Sequence, residues 1–224
     1  MTSPRTRLAQ AGGALAVAAG LAVASGAAPA AASTRTLFVA GYHFNAPRGS
    51  TLTVRGRITV PHSSCGLGTY VFAPEIEARY YVGTGLKVAS VTLAMGCADG
   101  VSYGGDPELL VDSHNRTVHH QLQAGETVGV VITITRSGSS AKISFSRRSS
   151  VTVHGPGGRP KDGVFVNDVP RPPRYGPVKF AACLVNGRRL ASLRPSAWTA
   201  VNRHHAVIGR TSRLSHGTAF TVSY

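Results

Sequence analysis

The sequence predicts an all-β fold, a sandwich of two sheets, on three observations. Apolar residues recur with a period of two: in TLTVRGRITV, Leu52, Val54, Ile58 and Val60 fall on one side and Thr51, Thr53, Arg55, Arg57 and Thr59 on the other. That is a strand with one face on a core and one in water. No stretch carries apolar side chains at helical spacing over about ten residues or more. Turn-forming sequences (QAGE, RSGSS, HGPGGRPKDG, VNGRR) separate many short apolar segments, as in a sandwich.

In chain order, residues 1–32 stand apart. Arg5 and Arg7 precede a run of Ala, Gly, Leu and Val that ends in Ala-x-Ala sites, the pattern of a secretory signal peptide cleaved after Ala30 or Ala32. Its apolar core is too short and too rich in small residues to span a bilayer. The mature chain is expected to begin near Ser33, to form a single domain over 33–224, and to be secreted, monomeric and without a membrane span. Strands are expected at TLTVRGRITV, RYYVG, VASVTLA, ELLVD, TVHHQL, ETVGVVITITR, AKISFS, GVFVND, PVKFAACLV and AFTVSY. Residues 61–76 and 154–162 read as irregular, and VPRPPRYGP as an extended connector.

The formal charge is +15, or +13 without Arg5 and Arg7, and it is uneven along the chain. Acidic and basic residues balance from 33 to 135, whereas from 136 to 224 only Asp162 and Asp168 oppose a long series of Lys and Arg. Such a surface attracts polyanions, and an exported protein meets anionic envelope polymers rather than nucleic acid. Arg147, Arg148, Arg188 and Arg189 are the expected contacts. A solubilising surface charge explains the same composition without a partner.

Of the three cysteines, Cys65 and Cys97 lie in Gly-rich turn sequence and are expected to pair in an oxidising compartment. Cys183 lies in an apolar strand and reads as a buried small hydrophobe. No ligand spacing points to a metal, and no cofactor is implied. His119-His120 and His204-His205 point to opposite sides of an extended chain and make poor chelates. The same objection removes Asp112-Ser113-His114 as a triad. GPGGRPKDG is a turn and not a phosphate loop. Asn115-Arg116-Thr117 fits a glycosylation acceptor, which matters only in a eukaryotic secretory route. Carboxylates paired on one sheet face would suit glycoside hydrolysis. Glu75, Glu77, Asp106, Glu108 and Asp112 are the candidates, but Glu75-Ile76-Glu77 follows Pro74 in sequence that reads as a loop.

Seven segments in order then carry a family resemblance. AGYHF, TVRGRITVPHSSC, YYVGTG, QAGETVGVVITI, GVFVNDVP, VKFAACLVNG and RTSRLSHGTAFTVSY are similar to successive motifs of the glutamic peptidases, the eqolisin or G1 family. The resemblance runs from about Phe38 to Tyr224 and implies a concanavalin-A-like sandwich of two large antiparallel sheets. It also makes the Cys65 to Cys97 pairing plausible. Family catalysis rests on a Gln and a Glu: the carboxyl activates water and the amide positions it and stabilises the oxyanion. Matching the motifs puts Ala94 at the Gln position, Val164 at the Glu position, and Val39 at that of an opening Trp.

No proton transfer is possible from a methyl or an isopropyl group. The resemblance therefore implies a secreted, glutamic-peptidase-like protein that has lost peptidase activity, in which Val39, Ala94, Met95, Val164 and Phe165 either line a groove that would take a peptide or simply fill the space between the sheets. The rival expectation is an acid endopeptidase that uses a displaced carboxyl, Asp162 being the nearest on the same strand face; Gln121 and Gln123 are the nearest amides and lie at least a strand away. A third is adhesion to an anionic cell-envelope polymer through the basic second half.

Overall fold

The structure, a computed structural model, describes residues 33–62, 70–98, 101–146, 149–168 and 176–223. The elements are β1 (Ser33–Leu37), β2 (Val39–Asn45), β3 (Leu52–Thr59), β4 (Tyr70–Val82), β5 (Gly85–Ala98), β6 (Val101–Val111), β7 (His114–Thr117), β8 (Thr127–Ile134), β9 (Ser139–Ser144), β10 (Ser150–Gly155), β11 (Arg159–Asp168), β12 (Val178–Val185), β13 (Arg188–Arg189), a 3-10 turn at Leu190–Leu193, β14 (Ser196–Val201), β15 (Val207–Thr211) and β16 (Phe220–Ser223). Among the described residues there is no α-helix.

The strands form one ladder in the order β10-β9-β8-β3-β12-β16-β15-β14-β2-β11-β4-β5-β6-β7, with β1 added parallel to β14 and β13 added to β12. It folds over at β15, which pairs with β14 on one side and β16 on the other. The first layer runs from β14 to β7 and the second from β10 to β16. Their facing sides form the core. Gly56 of β3 has no room for a side chain because a Cβ there would meet Ile76 Cδ1 at 2.7 Å and the Phe165 ring at 3.0 Å, both from the first layer. Tyr80 and Ser139 link the layers with a hydrogen bond of 3.1 Å between their hydroxyl oxygens.

The alternation read from TLTVRGRITV is the burial pattern of β3, whose Leu52, Val54 and Ile58 are fully buried while Arg55 and Arg57 are exposed. Three expectations are corrected. TVHHQL is not a strand: β7 ends at Thr117, and the chain then turns as the Asp106 carboxylate accepts from the His120 backbone N–H. Residues 70–76 are strand, because β4 continues through Pro74 opposite Asn167. A proline costs such a strand one ladder hydrogen bond without ending it. The irregular stretch expected over 154–162 shrinks to 156–158. Gly157 packs on the backbone of Arg136 and Gly138, and Gly158 on that of Tyr81, so the chain passes close between neighbours where no side chain fits.

Cys183 is fully buried, and burial pushes its thiol up. Cys65 and the side chain of Cys97 lie outside the described residues, as do residues 1–32, Arg147, Arg148 and most of VPRPPRYGP. Among the described residues no helix is long and apolar enough to cross a membrane, and no group of His, Cys, Asp and Glu could hold a metal ion.

Candidate functional site

The outward face of the first layer carries most of the acidic residues of the fold. In β4 the alternation sends Ile76, Ala78 and Tyr80 into the core and leaves Glu75, Glu77 and Arg79 on the other face. Strand pairing then sets rows across the sheet. One row reads Ser196, His43, Val164, Glu77, Ser90, and the next Trp198, Gly41, Val166, Glu75, Thr92. Gly41 is required in that second row: at φ 151°, a Cβ would run into the Phe165 carbonyl oxygen and Val166.

Asp162, two residues before Val164 in β11 and opposite Arg79, is the best-held charge on the face. Its carboxylate accepts from Arg79 Nε at 2.5 Å, lies 3.5 Å from His43 Nε2 and 3.7 Å from Lys161 Nζ, and its side chain is 7% exposed. The His43 ring stacks on Trp198, with centroids 5.4 Å apart and planes 4° from parallel. Burial works against the Asp162 charge, but the His43 and Arg79 interactions outweigh it and hold the carboxyl below its ordinary range. An acid held ionised in this way has no proton to give.

Glu77 has the opposite character. Burial pushes its carboxyl up to about 7; Glu75 and Asp162 add to the rise, and Arg79, 3.5 Å away, opposes it. Glu75 is also raised by burial, against hydrogen bonds from Ser90 and from Thr92 Oγ1, the latter 3.1 Å from Oε1. The face therefore holds one fixed carboxylate, Asp162, and a neighbouring pair whose proton affinity burial raises, Glu77 to about 7. Such a pair can serve as general acid and base.

The positions matched to the catalytic Gln and Glu are both apolar, and the structure does not bring them together. Val164 pairs with Glu77, and Glu77 with Ser90. Ala94 is four residues beyond Ser90, hence two strands and four residues from Val164, roughly 10 Å across and 13 Å along the sheet. Near Ala94 the ladder slips, since Leu93 and Met95 pair with Pro107 and Gly104, and Gly105 packs on the Ala94 carbonyl. Val39 pairs with Asp168 at the end of β11. Met95 and Phe165 do not line the face: both are buried in the core, Phe165 beside Phe44. The apolar groove expected from five residues is instead a polar face that includes Val164 and Val166.

Glu75 and Glu77 are among the carboxylates that the sequence offers, whereas no sequence signal joins Arg79, His43 and Trp198 to them. The EIEAR alternation was legible, and Pro74 hid it.

The architecture is that of the glutamic peptidases. Scytalido-glutamic peptidase, solved with a transition state analog inhibitor, superposes with a TM-score of 0.62 at 14% identity over 84% of this chain and 98% of that one. SCP-B, a member of the eqolisin family solved with the tripeptide Ala-Ile-His, superposes with a TM-score of 0.59 at 15% identity over the same shares. No protein-family model and no curated protein matches the sequence.

Proposed function

We propose that this chain is a secreted peptide-binding protein built on the glutamic-peptidase fold, without the Gln and Glu chemistry of that family. The observation that carries the reading is Val164, at the position matched to the catalytic Glu: it offers neither a proton nor a hydrogen-bond donor, and the residues paired with it, His43 and Glu77, include no Gln. The fold is shared with proteins solved with a transition state analog inhibitor and with a tripeptide, which supports peptide as the ligand class. The face suits an extended peptide because its sheet is long and continuous, with Trp198 as a large apolar contact beside polar groups that orient a backbone. Calorimetry with the tripeptide Ala-Ile-His tests the reading. Binding that weakens in Trp198→Ala, with no hydrolysis of denatured albumin from acid to neutral pH, is the expected result. Steady hydrolysis by the wild type would overturn it.

A second reading, hydrolysis by a displaced carboxyl, is favoured by one observation, the elevated proton affinity of Glu77. Asp162 is the weaker choice for that role because its partners keep it ionised. If denatured albumin is cleaved, Glu77→Gln abolishes cleavage on this reading, and retained turnover in that variant excludes it.

A further inference from the structure

The outward face of the second layer is unlike that of the first. Its strands, β15 included, contain no Asp or Glu. Arg55, Arg57, Lys179 and Arg210 are exposed, and Lys142 is partly so. The rows place these charges together. Lys142, Val131, Arg55 and Leu184 lie side by side in one row; Ser144, Gly129, Arg57 and Ala181 form the next; Thr127, Thr59, Lys179 and Thr221 the third. Strand spacing and rise put Arg55 about 10 Å from Lys142 and about 7 Å from Arg57, measured between Cα atoms. Among the described residues, no ion pair involves Arg55, Arg57, Lys142, Lys179 or Arg210. The charge divides by sheet more cleanly than by half of the chain, because Arg55 and Arg57 come from the half that is balanced overall.

We infer that this face is a docking surface for a linear acidic polysaccharide, whose carboxylates recur along the chain and whose hydroxyls meet the Ser and Thr side chains between the cations. Charge complementarity selects a polyanion, and guanidinium groups grip carboxylates in paired hydrogen bonds. The rows carry no aromatic side chain, so the stacking platform that binds single-stranded nucleic acid is missing. Unpaired cations spread over a β-surface bind through many weak, salt-screened contacts.

The test is retention of the mature protein on immobilised polygalacturonate at low salt, with neutral dextran and single-stranded DNA as comparison ligands. Wild type is expected to bind polygalacturonate in preference to both and to elute as salt rises. Arg55→Glu/Arg57→Glu should weaken binding about tenfold or more, and Lys142→Glu/Lys179→Glu should do the same from the flanking positions. Arg35→Glu/Arg116→Glu, an equal change in net charge on the exposed residues of the other layer, should leave binding within about twofold. Thermal midpoints of all variants establish that they fold. Equal losses in all three variants would reduce the effect to net charge and overturn the surface. No retention of wild type, or tighter binding to DNA, would overturn the ligand.

Discussion

Glu77→Gln isolates the most perturbed charge on the acidic face. The ordinary value for this carboxyl is 4.5, and the folded environment takes it to about 7. A group that holds its proton more tightly when folded contributes its full stabilisation below the unfolded value and loses it as pH rises through the folded one. The window is therefore from about pH 4.5 to just above 7. Roughly two and a half decades of proton affinity at ~1.4 kcal/mol each bound the loss at about 3.5 kcal/mol. The side chain is 21% exposed, and solvent screening reduces the figure to about 2 kcal/mol. For a domain of this size that corresponds to a fall in thermal midpoint of about 4 to 8 °C between acid and slightly alkaline buffer. Glutamine fills the same volume and does not titrate, so the variant should lose the Glu77 part of this fall and be the more stable protein above neutrality. Calorimetric melts of both proteins across the window provide the measurement. Parallel curves for wild type and variant would refute the assignment of the raised proton affinity to Glu77.

Asp162→Ala should cost about 2 kcal/mol at neutral pH, less than the roughly 3 to 5 kcal/mol of a fully buried pair because Arg79 remains partly exposed; the cost should fade in acid as wild-type Asp162 itself protonates, read from denaturant melts. Placing the two family residues at the matched positions, Ala94→Gln with Val164→Glu, should create no hydrolysis of denatured albumin, because the two positions are two strands and four residues apart; turnover would show that the site assembles differently. The same Val164→Glu change sets a carboxylate directly opposite Glu77 and should lower the thermal midpoint at neutral pH more than in acid. Cys183 should resist thiol reagents in the native protein and react fully on unfolding, as a mass shift after labelling would report.

What the sequence made legible was set by how strictly each strand alternates. β3 and β8 alternate cleanly because one face of each meets the core and the other meets water, and both were found. SAWTAV, β14, has partly exposed residues on both faces except at its end and gives no period-two signal, so it was passed over although it places Trp198 on the site. TVHHQL misled in the other direction. Val118 and Leu122 are buried, but from a loop held by Asp106 and Glu126, which bond His120. The order of the seven motifs carries the fold. It could not reveal that Glu77 stands across the strand pair from Val164, because a cross-strand neighbour is many residues away in sequence. Pro74 compounded this by making a central strand look like a connector.

Val164 also explains why Glu77 is perturbed. A carboxyl on an open sheet face would be hydrated and would titrate in its ordinary range. Here Val164, directly opposite, and Val166, opposite Glu75, are each about one-twentieth exposed and form a dry flank along both carboxyls. The apolar residue at the position matched to the catalytic glutamate thus withholds water from the glutamate beside it, and desolvation is the largest cause of the rise in Glu77. Arg79 cannot reverse this because its Nε is committed to Asp162 at 2.5 Å and lies 3.5 Å from Glu77. The consequence is directional: a polar residue at 164 should hydrate Glu77 and return it toward 4.5, whereas a larger apolar residue should leave it raised. The proton chemistry of this face depends on the side chain whose own capacity for such chemistry is absent.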